Sequence, residues 1–292
     1  MKYKKGIGER LFDGFNYVIL TLILLACLYP CWYVLVRSVS DPIKMASNAL
    51  SFWPRGFSIE SYKEVFNYKL LWASYANTIF YVIVGTTVSV MLTVSSAFGL
   101  TRKGLPGKNI LMMLILFTMY FSGGMIPMYL LIKTIGLLNN PLVMIIPGAI
   151  STYNLIVVMS YMRGLPDSLE EAAKIDGAKD LTILFKIIIP LSKPVIAVIA
   201  LYYMVGKWND YFTGLLYLSD KRWYPLQIVL RQILIQQDTS MSSAISQSGS
   251  AEAYAENMRY ATIVVSTVPI LCVYPFIQRY FVKGVMIGAV KG

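Results

Sequence analysis

A polar and aromatic cluster interrupts an apolar stretch near the end of the predicted fifth membrane span. It comprises Lys207, Trp208, Asn209, Asp210 and Tyr211. Lys207 and Asp210 are three residues apart, so on a helix they share a face and can pair. Flat aromatic faces beside hydrogen-bonding groups suit the CH faces and hydroxyls of a sugar. An ionisable pair inside a span is by default a candidate for a transport pathway.

Two further Tyr/Asn pairs have the same chemistry within apolar runs. Tyr153 with Asn154, and Tyr75 with Asn77, are candidates for the same lining. The alternatives stay open: aromatic residues also form interfacial belts, asparagines also bond neighbouring helices, and a lysine can extend its ammonium to the membrane boundary. We expect residues 207–211, together with Tyr153 and Asn154, to line a substrate pathway.

Reactive chemistry is scarce elsewhere. The sequence has no histidine, which excludes Ser-His-Asp catalysis and histidine metal sites. Cys27, Cys31 and Cys272 lie in apolar runs, where small buried side chains are the ordinary interpretation. We therefore expect no catalytic residue, cofactor or metal site on this chain, and a non-enzymatic role.

The second informative segment is the polar loop 163–193. Pro166 suits a helix start, and either Ser168 with Glu171 or Asp167 with Glu170 has capping-box spacing. Gly177 can adopt the left-handed conformation that ends such a helix.

An amphipathic helix is predicted to follow this turn. Its apolar stripe contains Leu181, Leu184, Phe185 and Ile188, and the helix is expected to break at Pro190 and Pro194. The stripe must be covered, either by another protein or by the chain itself, and the residues leave both possibilities open.

The elements that position these residues are membrane helices. Hydrophobic residues make up 57% of the 292, and charged residues 14%, against about 25% charged in soluble domains. A bilayer core needs roughly 20 apolar helical residues. We predict one all-α integral membrane domain over residues 15–280, with spans at 15–36, 71–100, 109–132, 141–162, 194–218 and 260–280. Glycines and prolines in these runs (Gly123, Gly124, Pro127, Pro147, Pro269, Pro275) are expected to mark kinks.

The charges predict the orientation. With the N-terminus inside, segments 1–14, 101–108 and 163–193 and the C-terminal end with tail 281–292 hold 15 of the 26 Lys and Arg residues. Cytoplasmic loops collect such residues, so an N-in, C-in topology is expected. This topology also explains the net charge of +11 better than nucleic-acid binding does.

Two predicted external loops are long. Residues 37–70 are expected to hold a short helix from Ser58 to about Phe66. Residues 219–259 contain a Ser/Gln/Ala-rich stretch around Thr239–Ala255, which is typical of a mobile segment.

Loop 163–193 resembles the EAA loop of ABC importer permeases. The resemblance rests on Glu171-Ala172-Ala173, Asp176-Gly177-Ala178, Phe185, Pro190 and Pro194. It implies that the first helix is a coupling helix that docks on a separate ATPase subunit. Glu171 would be the acidic contact, Gly177 the turn, and the two alanines would allow close approach. The residues expected to couple to the ATPase are Glu170, Glu171, Ala172, Ala173, Asp176 and Gly177.

Other segments indicate the branch of the family. The ending Phe276–Gly292 is similar to the C-terminus of the second permease subunit of maltose-type sugar importers. Segments 121–127, 206–211 and 224–227 look like a Gram-positive branch that imports oligosaccharides released from polysaccharides. The resemblance implies a six-helix type I importer domain in the bacterial cell membrane, forming half of a pore.

Partners follow from the same resemblance. They are a homologous second permease, two ABC ATPase subunits, an extracellular sugar-binding protein and an oligosaccharide, without nucleic acid. No Gly-x-x-x-x-Gly-Lys-Ser/Thr loop occurs in the sequence, so ATP and Mg²⁺ are expected on the ATPase. The alternatives are an ABC permease for a non-sugar solute and an ion-coupled secondary transporter.

Overall fold

The computed structural model describes residues 6–46, 52–102, 104–244, 254, 256–272 and 275. Within these residues the regular structure is helical, apart from an isolated antiparallel bridge between Ser40 and Phe57. The prediction of an all-α fold is confirmed. Cys27, Cys31 and Cys272 are free thiols, and all three are exposed rather than buried.

The helices are joined by connections that range from single residues to the stretch 135–151. In chain order they are α1 (Ile7–Ser38), α2 (Pro42–Ala46), α3 (Glu60–Asn67), α4 (Lys69–Thr101), α5 (Lys108–Tyr120), α6 (Met125–Thr134), α7 (Thr152–Arg163), α8 (Asp167–Ile175), α9 (Asp180–Leu191), α10 (Lys193–Trp208), α11 (Phe212–Tyr217), α12 (Leu226–Ala244) and α13 (residues 256–272).

Two of the described helices are long and apolar enough to cross a membrane without interruption. They are Gly8–Ser38, within α1, and Lys69–Thr101, which is α4. Two bent pairs, α5 with α6 and α9 with α10, raise the number to four if each pair is one span. The predicted first and second spans are therefore continuous helices, whereas others among the predicted six are not.

The predicted third span is broken in its middle. The chain is non-helical at residues 121–124, and α5 and α6 meet at 115°. Gly124 has a φ of 89°, a conformation that side chains with a Cβ rarely adopt. The expected kink at Gly123, Gly124 and Pro127 is present, but it is sharp enough to end one helix and start another.

The predicted fourth and fifth spans also need correction. Residues 141–162 contain a short 3-10 turn at Pro141–Met144 and an irregular stretch before α7, since Pro147 and Gly148 (φ 69°) do not continue a helix. Residues 194–218 are divided between α10 and α11 by a break at 209–211. The sixth span is helical at 256–272, and most of its remainder lies outside the described residues, as do Phe276–Gly292.

Loop 163–193 forms the predicted pair of helices. Helix α8 begins at Asp167, directly after Pro166, and Pro166 makes no side-chain capping bond. Gly177 ends the first helix with a φ of 77°, as predicted. The second helix, α9, contains a π-helical turn at Leu184–Ile188 and meets α10 at 82°. It continues through Pro190, and the bend falls at residue 192, before Pro194.

The predicted apolar stripe of α9 is split between two faces. Leu184 and Ile188 are buried, while Leu181 and Phe185 are exposed. The buried side is completed by Ile183, which the stripe did not include, because a π turn displaces side chains from ideal helical spacing.

The chain divides into two compact units. The first contains residues 1–68 and 230–267. Its centre is the buried guanidinium of Arg37, which donates hydrogen bonds to the Tyr33 hydroxyl (2.9 Å), the Met45 carbonyl (3.3 Å) and Glu256 Oε1 (3.2 Å). The predicted short helix of this unit is α3.

The second unit contains residues 69–229 and 268–292. Helix α4 packs chiefly against α10 and α7, and its buried residues Val94, Ala97 and Phe98 join the main apolar core.

Helix α12 covers Leu226–Ala244, so the first part of the stretch Thr239–Ala255 is helical rather than irregular. Residues 245–253 and 255 lie outside the described residues.

We predict that Gly177→Ala destabilises the protein. A Cβ in the left-handed conformation costs roughly 1–2 kcal/mol, and Gly177 has that conformation. Thermal unfolding of the purified protein in detergent should show a lower midpoint.

The control is Gly99→Ala, inside α4, where an added Cβ meets nothing within 4 Å. It should be neutral or stabilising, by up to about 1 kcal/mol. Equal midpoints for the two variants would contradict the assigned turn.

Candidate functional site

A cavity of about 670 Å³ lies beside α7 and α10 in the second unit. Its lining mixes aromatic, amide, hydroxyl and charged groups. The polar lining residues include Ser151, Tyr153, Asn154, Tyr202, Tyr203, Lys207, Asp210 and Thr213. Both charged residues are members of the predicted cluster, and Tyr153 and Asn154 are there as well. The cavity combines the aromatic faces and hydrogen-bonding groups that a polyhydroxylated ligand needs.

Lys207 is positioned by two backbone features. Its Nζ donates a hydrogen bond to the Met144 carbonyl (3.3 Å) in the 3-10 turn. Its side chain lies against Gly85 of α4, where a Cβ would approach Lys207 Cδ and Cε to 2.6 Å. The missing side chain at Gly85 therefore leaves the space that the lysine stem occupies.

Asp210 is the second charged residue of the cavity lining. Its Oδ1 accepts a hydrogen bond from the Thr213 N–H (3.1 Å) at the start of α11. The break at 209–211 thus gains a capping interaction, and an acceptor and a cation face the same cavity.

Tyr203 connects three segments next to the cavity. Its hydroxyl accepts a hydrogen bond from the Ser151 N–H (2.9 Å) and shares another with Thr93 Oγ1 of α4 (2.7 Å). Tyr203 and Thr93 are both buried. This hydroxyl fixes the start of α7 relative to α4 and α10.

The rest of the predicted cluster lies away from the cavity. Trp208 is buried, with its ring 6.4 Å from that of Tyr75. Asn209 donates to the Val205 carbonyl of its own helix (3.0 Å). Tyr211 is exposed beside Phe212.

Asn77 has a different role from the one proposed for the Tyr/Asn pairs. Its side-chain amide donates to the carbonyls of Arg222 (2.6 Å) and Tyr224 (3.1 Å). These hydrogen bonds connect α4 to the segment that follows α11. The Asn77 amide is therefore engaged by backbone carbonyls.

Sequence reasoning missed Ser151, Tyr202, Tyr203 and Thr213. The signal for Tyr203 was its spacing: Tyr203, Lys207 and Asp210 are separated by four and three residues, so they follow one helical face. Ser151 and Thr213 had no such signal, because they flank breaks whose geometry depends on tertiary packing.

The predicted coupling residues divide into exposed and internal ones. Glu171, Ala172, Asp176 and Gly177 are exposed, and Ala173 is buried against the core. Ile175 is 86% exposed, and Leu181 and Phe185 of α9 are also exposed. Residues 171–185 therefore expose both acidic and apolar side chains.

Glu170 belongs to the internal group. Its carboxylate pairs with Arg102 at the end of α4 and with Lys174 Nζ (2.8 Å). Burial raises the pKa of this carboxyl, but the hydrogen bonds from Lys174 and Arg102 outweigh it and hold the pKa below its ordinary value. The group is ionised at neutral pH and is already paired within the chain.

Apolar helices long enough to span a membrane, a polar cavity and an exposed polar helix pair are features expected of the membrane subunit of a transporter. The sequence profile described as "Binding-protein-dependent transport system inner membrane component" matches residues 3–287. The chain belongs to this family. It is an integral permease subunit of a bacterial ABC importer, and the predicted resemblance, fold class and membrane location are confirmed.

Known proteins similar to this chain include two from Bacillus subtilis strain 168. The polygalacturonan/rhamnogalacturonan transport system permease protein YtcP is 43% identical, over 97% of this chain and 99% of that protein. Protein LplC is 40% identical, over 97% and 96%.

A solved structure is also similar. It is the crystal structure of a bacterial ABC transporter involved in the import of the acidic polysaccharide alginate. The match has a TM-score of 0.85 and 34% identity, covering 95% of this chain and 99% of that one.

We predict that Tyr203→Phe destabilises the cavity wall. It removes the acceptor of the part-buried Ser151 N–H and a partner of the buried Thr93 hydroxyl, and an unsatisfied buried group costs about 1–3 kcal/mol. Thermal unfolding should show a lower midpoint than for Tyr202→Phe, a neighbouring tyrosine that is 44% exposed. Identical midpoints would show that the hydroxyl network is not formed.

Proposed function

We propose that the chain forms half of the translocation pore of an ATP-driven importer of oligosaccharides. The observation that carries the proposal is the cavity beside α7 and α10, whose lining pairs tyrosines with hydroxyl, amide and charged groups. Its volume lies within the range of roughly 300–1,000 Å³ typical of small-molecule sites. In this role the chain binds and passes the sugar and performs no chemical reaction.

The substrate class is an oligosaccharide released from a polysaccharide, with acidic sugars favoured. Relatives import polygalacturonan or rhamnogalacturonan fragments and alginate, by their names, and alginate is described as acidic. Lys207 supplies a cation at the cavity. Its ammonium has three donors, of which one meets the Met144 carbonyl, so others are available to a sugar carboxylate.

The complete transporter contains other chains. We propose a homologous second permease, two ABC ATPase subunits that hold ATP and Mg²⁺, and an extracellular sugar-binding protein. Family membership supports this general composition. The family depends on a binding protein, which argues against an ion-coupled secondary transporter. No described feature of the cavity lining favours a non-sugar solute over a sugar.

The ATPase docks on α8 and the start of α9 in this proposal. Ile175, Leu181 and Phe185 are exposed apolar side chains, and Glu171 is an exposed carboxylate of α8. Exposed apolar groups rimmed by polar residues are typical of protein–protein surfaces. Ala172 and Gly177 add little side-chain bulk, which allows close approach of a partner. Glu170 is not part of this docking surface, because Arg102 and Lys174 engage it.

We predict that Ile175→Ser and Glu171→Gln weaken ATPase binding. Loss of the apolar anchor should raise the Kd at least tenfold, or about 1.4 kcal/mol, and loss of the charge should raise it about fivefold. The measurement is binding of the purified ATPase to the permease pair in nanodiscs.

The matched control is Glu64→Gln, an exposed carboxylate on α3. It should bind the ATPase with the wild-type Kd. Wild-type affinity in both docking variants would place the ATPase elsewhere.

We also predict that Lys207→Gln changes substrate preference. A hydrogen bond to a charged group contributes about 1.5–3 kcal/mol, so uptake of an acidic oligosaccharide should fall at least tenfold. Uptake of the same oligosaccharide with esterified carboxyl groups should change little. The measurement is ATP-dependent uptake into proteoliposomes that contain the complete transporter.

Lys193→Gln, an exposed lysine at the start of the same helix, is the control and should keep the wild-type preference. Equal losses for acidic and esterified sugar in Lys207→Gln would mean that the ammonium does not recognise the carboxylate.

A further inference from the structure

Arg102 directly follows α4 and contacts α8, the first helix of loop 163–193. Its Nε donates to the Phe98 carbonyl of α4 (3.2 Å), and its guanidinium lies 4.0 Å from the centroid of the Phe98 ring. The same guanidinium pairs with Glu170 of α8. The Arg102 side chain is thus bonded both to α4 and to α8.

The ion pair is partly shielded from water. The Arg102 and Glu170 side chains are 21% and 20% exposed, and they border a cleft of about 340 Å³. Lys174, one turn along α8, adds a second cation to the same carboxylate at 2.8 Å. A shielded, multiply bonded pair holds its geometry better than an exposed surface pair, which contributes little.

Helix α4 continues from this pair to the cavity without a break. It contains 33 residues, a length of about 50 Å at 1.5 Å per residue. On the way it contacts Tyr203 through Thr93 and the stem of Lys207 through Gly85. Movement of this helix therefore moves two residues that line the cavity.

The far half of α4 holds the segment that follows α11. Thr78 Oγ1 accepts the Leu226 N–H (2.7 Å), and the Tyr81 hydroxyl donates to the Trp223 carbonyl (2.8 Å). A single helix thus connects the coupling loop, the cavity wall and the segment at 222–226. All of these contacts lie within the second unit.

We infer that the Arg102–Glu170 pair is a latch that stays closed during transport and makes α8 and α4 move together. The inference rests on the proposed function, since it assigns the path by which ATPase movement reaches the cavity. Arg102 and Glu170 are positioning residues: they touch neither sugar nor nucleotide. The adjacent Glu171 faces the ATPase, whereas Glu170 faces the permease's own helix.

Opening the latch uncouples the two ends of the transporter. The ATPase still docks through Glu171 and Ile175 and still hydrolyses ATP, but α8 moves without carrying α4. Arg102→Gln and Glu170→Gln should each lower the sugar imported per ATP hydrolysed at least fivefold. The Kd for the ATPase should stay at its wild-type value in both.

The experiment uses the complete transporter in proteoliposomes, with uptake and ATP hydrolysis measured on the same sample. The charge-swapped double variant Arg102→Glu with Glu170→Arg should recover at least half of the wild-type ratio. Arg102→Lys, which keeps the charge but loses the planar fork, should have an intermediate ratio. If Arg102→Gln fails to assemble, Arg102→Lys provides the test in its place.

Lys108→Gln removes a cation that borders the same cleft and should leave the ratio unchanged. A wild-type ratio in the Gln variants, a swapped variant as poor as the single ones, or parallel loss of uptake and hydrolysis with poor assembly would overturn the latch. Absence of ATP-dependent uptake by the wild type would instead overturn the proposed function.

Discussion

The structure depends on the demand that a membrane makes on the polypeptide backbone. Inside hydrocarbon no water satisfies a free N–H or C=O, so exposed backbone must be helical. Helix α1 follows this rule in its simplest form, because its apolar side chains from Leu11 to Leu28 are exposed. Helix α4 follows it while packing against α7 and α10. Irregular backbone at membrane depth has to be buried in protein or line a water-filled cavity.

Two of the breaks, the stretch before α7 and the break at 209–211, border the cavity, where polar chemistry is needed, whereas the break at 121–124 is exposed. The irregular stretch before α7 presents the Met144 carbonyl to Lys207 and the Ser151 N–H to Tyr203. The break at 209–211 places Asp210 at the start of α11. Backbone groups released from helices thus become partners for the side chains around the cavity. A permease for polar substrates gains a polar interior without exposing backbone to lipid.

Two adjacent glutamates show how position divides function. Glu170 and Glu171 are both in α8, but successive residues on a helix point about 100° apart. One is paired with Arg102 and Lys174, and the other is exposed. The first connects α8 to the end of α4 through Arg102, and the second is accessible to a partner. The proposed docking and latch functions require this division.

The sequence alone determined the class, since apolar runs of this length have few other solutions, and it predicted the turn at Gly177 because few residues other than glycine adopt that conformation readily. It also singled out Lys207 and Asp210 by their charge within a span. Tertiary structure decided the rest. It separated Trp208 from the cavity, brought in Ser151 and paired Glu170 internally. Those outcomes depend on where distant helices end and which faces meet, and local residue spacing does not encode them.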